Sequence, residues 1–172
     1  MSKQGWRVRL GQLLAAVIDL LARLRGRIVG ETVVSQPTAQ ASQVWRRLTR
    51  EDVVAMLAER PSRQIDLSNA TLSQADLSNL DLTGANFANS SLRLTNLSGC
   101  LLKDANFADT YCAGADFSYC DLTRSDFSNA YLRATTFSHA GLYRAKMDGA
   151  DFHGADLSGT NLYRTSFINA KR

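Results

Sequence analysis

The sequence predicts a solenoid that turns a corner every five residues, fronted by α-helical segments, and three observations carry that expectation. From Ile65 to Asn169 the chain divides into twenty-one consecutive blocks of five without insertion or deletion, from IDLSN, ATLSQ and ADLSN through to TNLYR and TSFIN. The third residue is Leu in twelve blocks and Phe in seven, with Cys112 and Met147 in the other two, so this column holds all seven phenylalanines of the protein. The first residue is Ala ten times and otherwise Ser, Thr or Cys, apart from Ile65 and Leu80. Five steps of an α-helix turn through about 500° and a continuous strand alternates with period two, so neither keeps the first and third positions on one side. A corner after every block does. Positions one and three then point inward, while positions two, four and five, rich in Asp, Asn, Ser, Thr and Gly, face solvent and shape the turns.

Taken in chain order, residues 1–30 read as a basic amphipathic helical segment. Leu10, Leu13, Leu14, Val17, Leu21, Leu24 and Ile28 fall on one side at 100° per residue, with Arg9, Gln12, Asp19, Arg23 and Arg27 opposite. That stripe suits packing on a partner helix or on the main domain, or adsorption to an anionic membrane as a peripheral contact. The charges argue against a transmembrane helix. They also argue against a secretory signal, since Asp19 interrupts the apolar run and the Ala39-Gln40-Ala41 cleavage pattern lies far downstream. A cytoplasmic location, with membrane association through the helix, is therefore expected; were residues 1–41 a signal, export to a periplasm or thylakoid lumen would follow instead. Residues 31–48, which begin ETVVSQPTAQASQ, read as a linker. Residues 49–64 read as a capping helix: Thr49 and Asp52 form a capping box, Val53, Val54 and Leu57 give an apolar side with Met56 beside it, and Pro61 ends the helix. Residues 65–169 are the repeats and 170–172 a short tail. Because no helix follows Asn169, either Lys171 and Arg172 protect the last coil by charge or two copies meet there as a homodimer.

The blocks resemble the A(D/N)LXX units of pentapeptide repeat proteins over residues 65–169, and by these motifs the chain is identified as a member of that family. The resemblance implies a mainly β fold, a right-handed quadrilateral β-helix in which four blocks make one coil, so that about five coils follow the N-terminal α-helices. A period of twenty is visible within the sequence. Leu82, Leu102, Leu122, Leu142 and Leu162 share one face, and Leu67, Phe87, Phe107, Phe127, Met147 and Phe167 another. Ser78, Ser98, Ser118, Ser138 and Ser158 form an unbroken ladder on a third, and Asn69, Asn89, Asn129 and Asn169 a partial one at a corner, both read as satisfying turn backbone.

Chemistry is sparse in this pattern. Cys100, Cys112 and Cys120 occupy core columns and are expected to be buried thiols in a reducing compartment. His139 and His153 fall in outward columns of different faces without a nucleophile or metal-ligand spacing, and no phosphate-cradling loop or zinc motif is present. A non-enzyme without metal or cofactor is expected. What departs from the consensus is basic and aromatic. On the all-Leu face Arg124, Arg144 and Arg164 stack in the fifth column beside Tyr143 and Tyr163 in the fourth; another face carries Arg93, Leu94, Tyr111, Tyr131 and Arg133. Three like charges one coil apart should repel unless an anion or acidic partner meets them, and Tyr and Arg are residues enriched at interface hot spots.

These columns point to a scaffold for protein–protein interaction with a protein partner the sequence does not name. The resemblance supplies an alternative, since some members of the family mimic duplex DNA and protect type II topoisomerases such as DNA gyrase. That role wants a strongly acidic surface, whereas residues 65–172 carry nine Lys and Arg against eleven acids and no loop interrupts the blocks. Direct nucleic-acid binding is disfavoured by the same sparse charge.

Overall fold

The structure, a computed structural model, describes residues 45–59 and 64–172, all within the compact unit Ser42–Arg172. The amphipathic segment 1–30, the signal reading of 1–41, most of the linker and Pro61 lie outside the described residues.

The repeats pair as the twenty-residue period requires. Eighteen parallel bridges link second-position residues to their counterparts twenty positions on, from Asp66↔Asn86 to Asp151↔Lys171. With a bridge in every block, each coil has four sides. No side grows into a long strand, because a turn follows every block. One block shows how the backbone closes. Ala85 N–H donates to Leu82 O across the turn at 3.0 Å, Asn86 N–H to Ile65 O of the coil before at 2.9 Å, and Phe87 and Asn89 N–H to Asn106 O and Ala108 O of the coil after at 2.7 and 3.0 Å. The remaining N–H, that of Ala88, donates to the Asn86 side-chain oxygen at 3.2 Å. All five donors are thereby used. This explains Asp or Asn at position two: its side chain caps the fourth-position N–H, as Asp66, Asp76 and Asp116 do for Ser68, Ser78 and Ser118 at 3.0, 3.0 and 2.8 Å. Hydrogen bonding favours the ionised carboxyl, and the Ser68 side chain and backbone hold Asp66, and the Ser78 backbone and side chain hold Asp76, below the ordinary carboxylate range.

The fifth position adopts positive φ in every block, from 53° at Asn69 to 71° at Gly149. That is the requirement of the third residue of a type II turn, which Gly and Asn meet at least cost. The corner asparagines therefore serve backbone conformation.

Inside, the third-position side chains stack. Phe87, Phe107 and Phe127 lie parallel at 4.7 and 4.6 Å, Phe117 and Phe137 at 5.1 Å on another side, and the two columns meet edge to face at 5.4–5.7 Å. First-position hydroxyls and thiols fill the remaining width, and all but the Ser90 hydroxyl among the buried ones return hydrogen bonds to core carbonyls, as from Thr95 to Leu72 O at 2.8 Å and from Cys100 to Leu77 O at 3.0 Å. All three cysteines are free and buried; burial pushes Cys100 up to about 11 and Cys112 and Cys120 up to about 12.

The N-terminal end is closed more fully than the sequence reading allowed. The segment read as linker ends in strand β1 (Arg46–Arg47), which pairs in parallel with β2 (Ala70–Thr71), and Leu48 N–H continues the pairing to Thr71 O at 3.0 Å. Helix α1 (Arg50–Glu59) follows, opened by the capping box: Thr49 N–H donates to the Asp52 carboxylate at 2.9 Å and Asp52 N–H to the Thr49 hydroxyl at 3.4 Å. Val53 is fully buried, and Met56 and Leu57 pack against the core. Val54 instead is exposed, being one helical step of 100° away from Val53. Arginine guanidiniums cover carbonyls of the first coil: Arg46 donates to Asp66 O at 3.2 Å, and Arg50 to Asp76 O at 2.8 Å and Ser78 O at 3.2 Å. Beyond Asn169, Ala170–Lys171 are part of the ladder, with Lys171 N–H donating to Ala150 O at 2.8 Å. The repeat thus runs two residues past its expected end.

Candidate interaction surface

The turns place the fourth- and fifth-position side chains on the outside of each corner, where the core has no use for them. On the all-Leu face, Leu142 is fully buried while its neighbours Tyr143 and Arg144 turn outward. Arg144 and Arg164 hold φ of 57° and 62°, a conformation that costs a side-chain-bearing residue about 1 kcal/mol relative to Gly. The Tyr143 and Tyr163 rings stack at 5.9 Å and 9°, and each guanidinium lies over its own tyrosine, at 5.2 Å for Arg144 and 5.3 Å for Arg164. Arg124 differs from them. The residue one coil before it is Asp104, and the two form a bidentate ion pair at 2.5 and 2.6 Å. The pair keeps the Asp104 carboxyl below and the Arg124 guanidinium above their ordinary values. The expected repulsion along three arginines is therefore relieved at Arg124, because an acid stands next in its column.

Arg93, Tyr111, Tyr131 and Arg133 lie two blocks away, on the opposite side of the four-sided coil, so the nine candidate residues make two surfaces. Tyr111 and Tyr131 stack at 4.8 Å and 4°, and Trp45, just before β1, leans on Tyr111 at 6.3 Å and 52°. These three rings form one wall of a shallow groove of about 330 Å³ whose other wall is Asn89, Asp109 and Asn129. Leu94 is half exposed beside Arg93. Trp45 carried no signal in the sequence, since it precedes the repeat.

Arg133 is tied to Asp151 at 2.9 Å, and the other Asp151 oxygen meets His153 Nδ1 at 2.7 Å. His153, which the spacing left without a partner, thus has one. His139 likewise stacks on Tyr119 at 5.2 Å. The side-chain hydrogen bond from His153 leads, joined by its backbone N–H and by Arg133, in drawing the Asp151 carboxyl down to about 2. Because the folded value lies below the ordinary 3.8, this contribution to stability is present above that pH and is lost as the pH falls from there towards 2. In His153→Ala the carboxyl should titrate upward, towards the ordinary range, in a carboxyl NMR titration; an unchanged midpoint would refute the leading role of His153.

Among the described residues no group of His, Cys, Asp and Glu is arranged to hold a metal ion, and no helix is long and apolar enough to cross a membrane. The family model for pentapeptide repeats matches residues 65–104, 100–138 and 137–171, in eight copies. The chain belongs to the pentapeptide repeat family. Its fold is accordingly the family's right-handed quadrilateral β-helix. Among solved pentapeptide repeat proteins, it is similar to Rfr23 of the cyanobacterium Cyanothece, with 20% identity over 66% of this chain and 96% of that one, at a TM-score of 0.37. HetL of Nostoc, involved in heterocyst differentiation regulation, is 23% identical over 62% of this chain and 59% of its own, also at 0.37. Full-length QnrB1, a plasmid-mediated fluoroquinolone resistance protein, is 17% identical over 73% of this chain and 88% of its own, at 0.29. No curated protein matches the sequence.

Proposed function

We propose that this pentapeptide repeat protein is a non-enzymatic scaffold, a β-helix of about five coils whose Arg/Tyr face binds an acidic surface of a partner protein. One observation carries this reading. Tyr143–Arg144 and Tyr163–Arg164 form two outward-facing layers in which arginine occupies a backbone conformation better suited to Gly or Asn. The fold does not call for arginine there, and planar guanidiniums held on aromatic rings are preorganised to meet carboxylates or phosphates. Duplex mimicry is the weaker reading, since the repeats carry nearly balanced charge in place of an acidic surface.

The test is affinity capture from the native organism with the full chain and with the double variant Arg144→Asn, Arg164→Asn. Asn suits positive φ, so the variant should keep its melting temperature while losing the captured partner. Equal capture by both forms sinks the proposal.

A further inference from the structure

Arg144 and Arg164 differ from Arg124 and Arg133. Arg124 is neutralised by Asp104, and Arg133 by Asp151. Among the described residues, no ion pair engages Arg144 or Arg164; each guanidinium rests on a tyrosine ring alone. Two unneutralised cations are thus held in register, one coil apart. The parallel rings beneath them stand 5.9 Å apart.

Charge and acceptor geometry select the anion. A single carboxylate has two coplanar oxygens and matches one guanidinium fork. A phosphomonoester has three terminal acceptor oxygens on a tetrahedral centre and carries about −1.5 to −2 charge at neutral pH, enough to accept from both forks and to balance both cations. The tyrosine rings stack on one another, so no nucleobase inserts between them as single-strand nucleic-acid recognition would use.

We infer that the Tyr143–Arg144 and Tyr163–Arg164 layers form a clamp for a phosphoserine or phosphothreonine side chain of a partner protein. The clamp rests on the reading of this face as a partner-binding surface and narrows what that surface recognises.

Side-chain Nε–Hε NMR signals of the full chain provide the test, with Arg124, Arg144 and Arg164 assigned through their Lys variants. The probe is a short phosphoserine peptide, compared with the same peptide carrying Glu in its place and with a dinucleotide phosphodiester. The Arg144 and Arg164 signals should shift together along one binding curve while Arg124 stays still. Arg144→Asn or Arg164→Asn should weaken binding about tenfold or more. Binding should also weaken as the pH falls below about 6, where the dianion takes up a proton. Equal shifts with the Glu peptide would overturn the phosphate assignment and leave the acidic-partner reading standing. Equal shifts with the phosphodiester would overturn it in favour of nucleic acid. Absence of any shift would overturn the clamp outright, and capture with the double variant would then decide the broader reading separately.

Discussion

Phe107→Ala should lower the free energy of unfolding by about 3–5 kcal/mol, the largest loss expected from a single truncation in this chain. Phe107 is fully buried and stacked on both sides, on Phe87 at 4.7 Å and Phe127 at 4.6 Å, with Phe117 edge-on at 5.4 Å. The neighbouring rings cannot close over the gap, because their spacing follows the coils to which they are attached. The cavity term of a large-to-small change is therefore felt in full, beyond the lost burial of the ring. Phe107→Leu should cost much less, since Leu67 already occupies the same column and is fully buried there. Urea unfolding of the three forms gives the comparison; an Ala variant within about 1 kcal/mol of the parent would mean that the ring stack does not carry the core.

Val53→Asp should detach the N-terminal cap. Val53 is the buried residue of α1, and a carboxylate in its place would be buried against the apolar core, a penalty of about 3–5 kcal/mol for a buried charge left uncompensated. Undocking the helix avoids that penalty, so the expected result is a frayed first coil on an otherwise folded solenoid. Amide hydrogen exchange reads it directly. The Leu48 N–H, bonded to Thr71 O, should lose protection, while Phe107 N–H, bonded to Asp126 O, should keep it. Retained protection at Leu48 would show that β1 and the arginines hold the cap without α1.

The repeat was legible because each of its positions answers to a different physical demand. Leu and Phe in the third column, small residues in the first and Asp or Asn in the second could be read directly, since burial, width and turn capping each narrow the choice of residue. The fifth column was less readable. It needs positive φ throughout, yet Leu94, Tyr119, Arg124, His139, Arg144 and Arg164 stand there beside Gly and Asn, so its conformation shows only in the backbone. Outside the blocks the signals weakened. The capping box of Thr49 and Asp52 marked the start of α1, but nothing in Arg46–Arg47 announces a strand whose partner is set by the first coil. Val54 was misjudged against Met56 because three apolar residues clustered in sequence do not all share a helical face. The candidate surface was legible as two sets of columns. The Arg124–Asp104 pair was not, because which way a long side chain leans depends on its neighbour one coil away.

The hydrogen bonds between coils do not run evenly in both directions. In each block two N–H groups, as at Phe87 and Asn89, point towards the C-terminal coils, and one, as at Asn86, points back. The peptide dipoles consequently do not cancel, and the stack is an axial dipole with its negative pole at the N-terminal coil and its positive pole at the other, the reverse of an α-helix. Arg46 and Arg50 sit on the negative pole. Arg144 and Arg164 stand in the coils nearest the positive one, so the backbone and the side chains attract anions to the same part of the molecule.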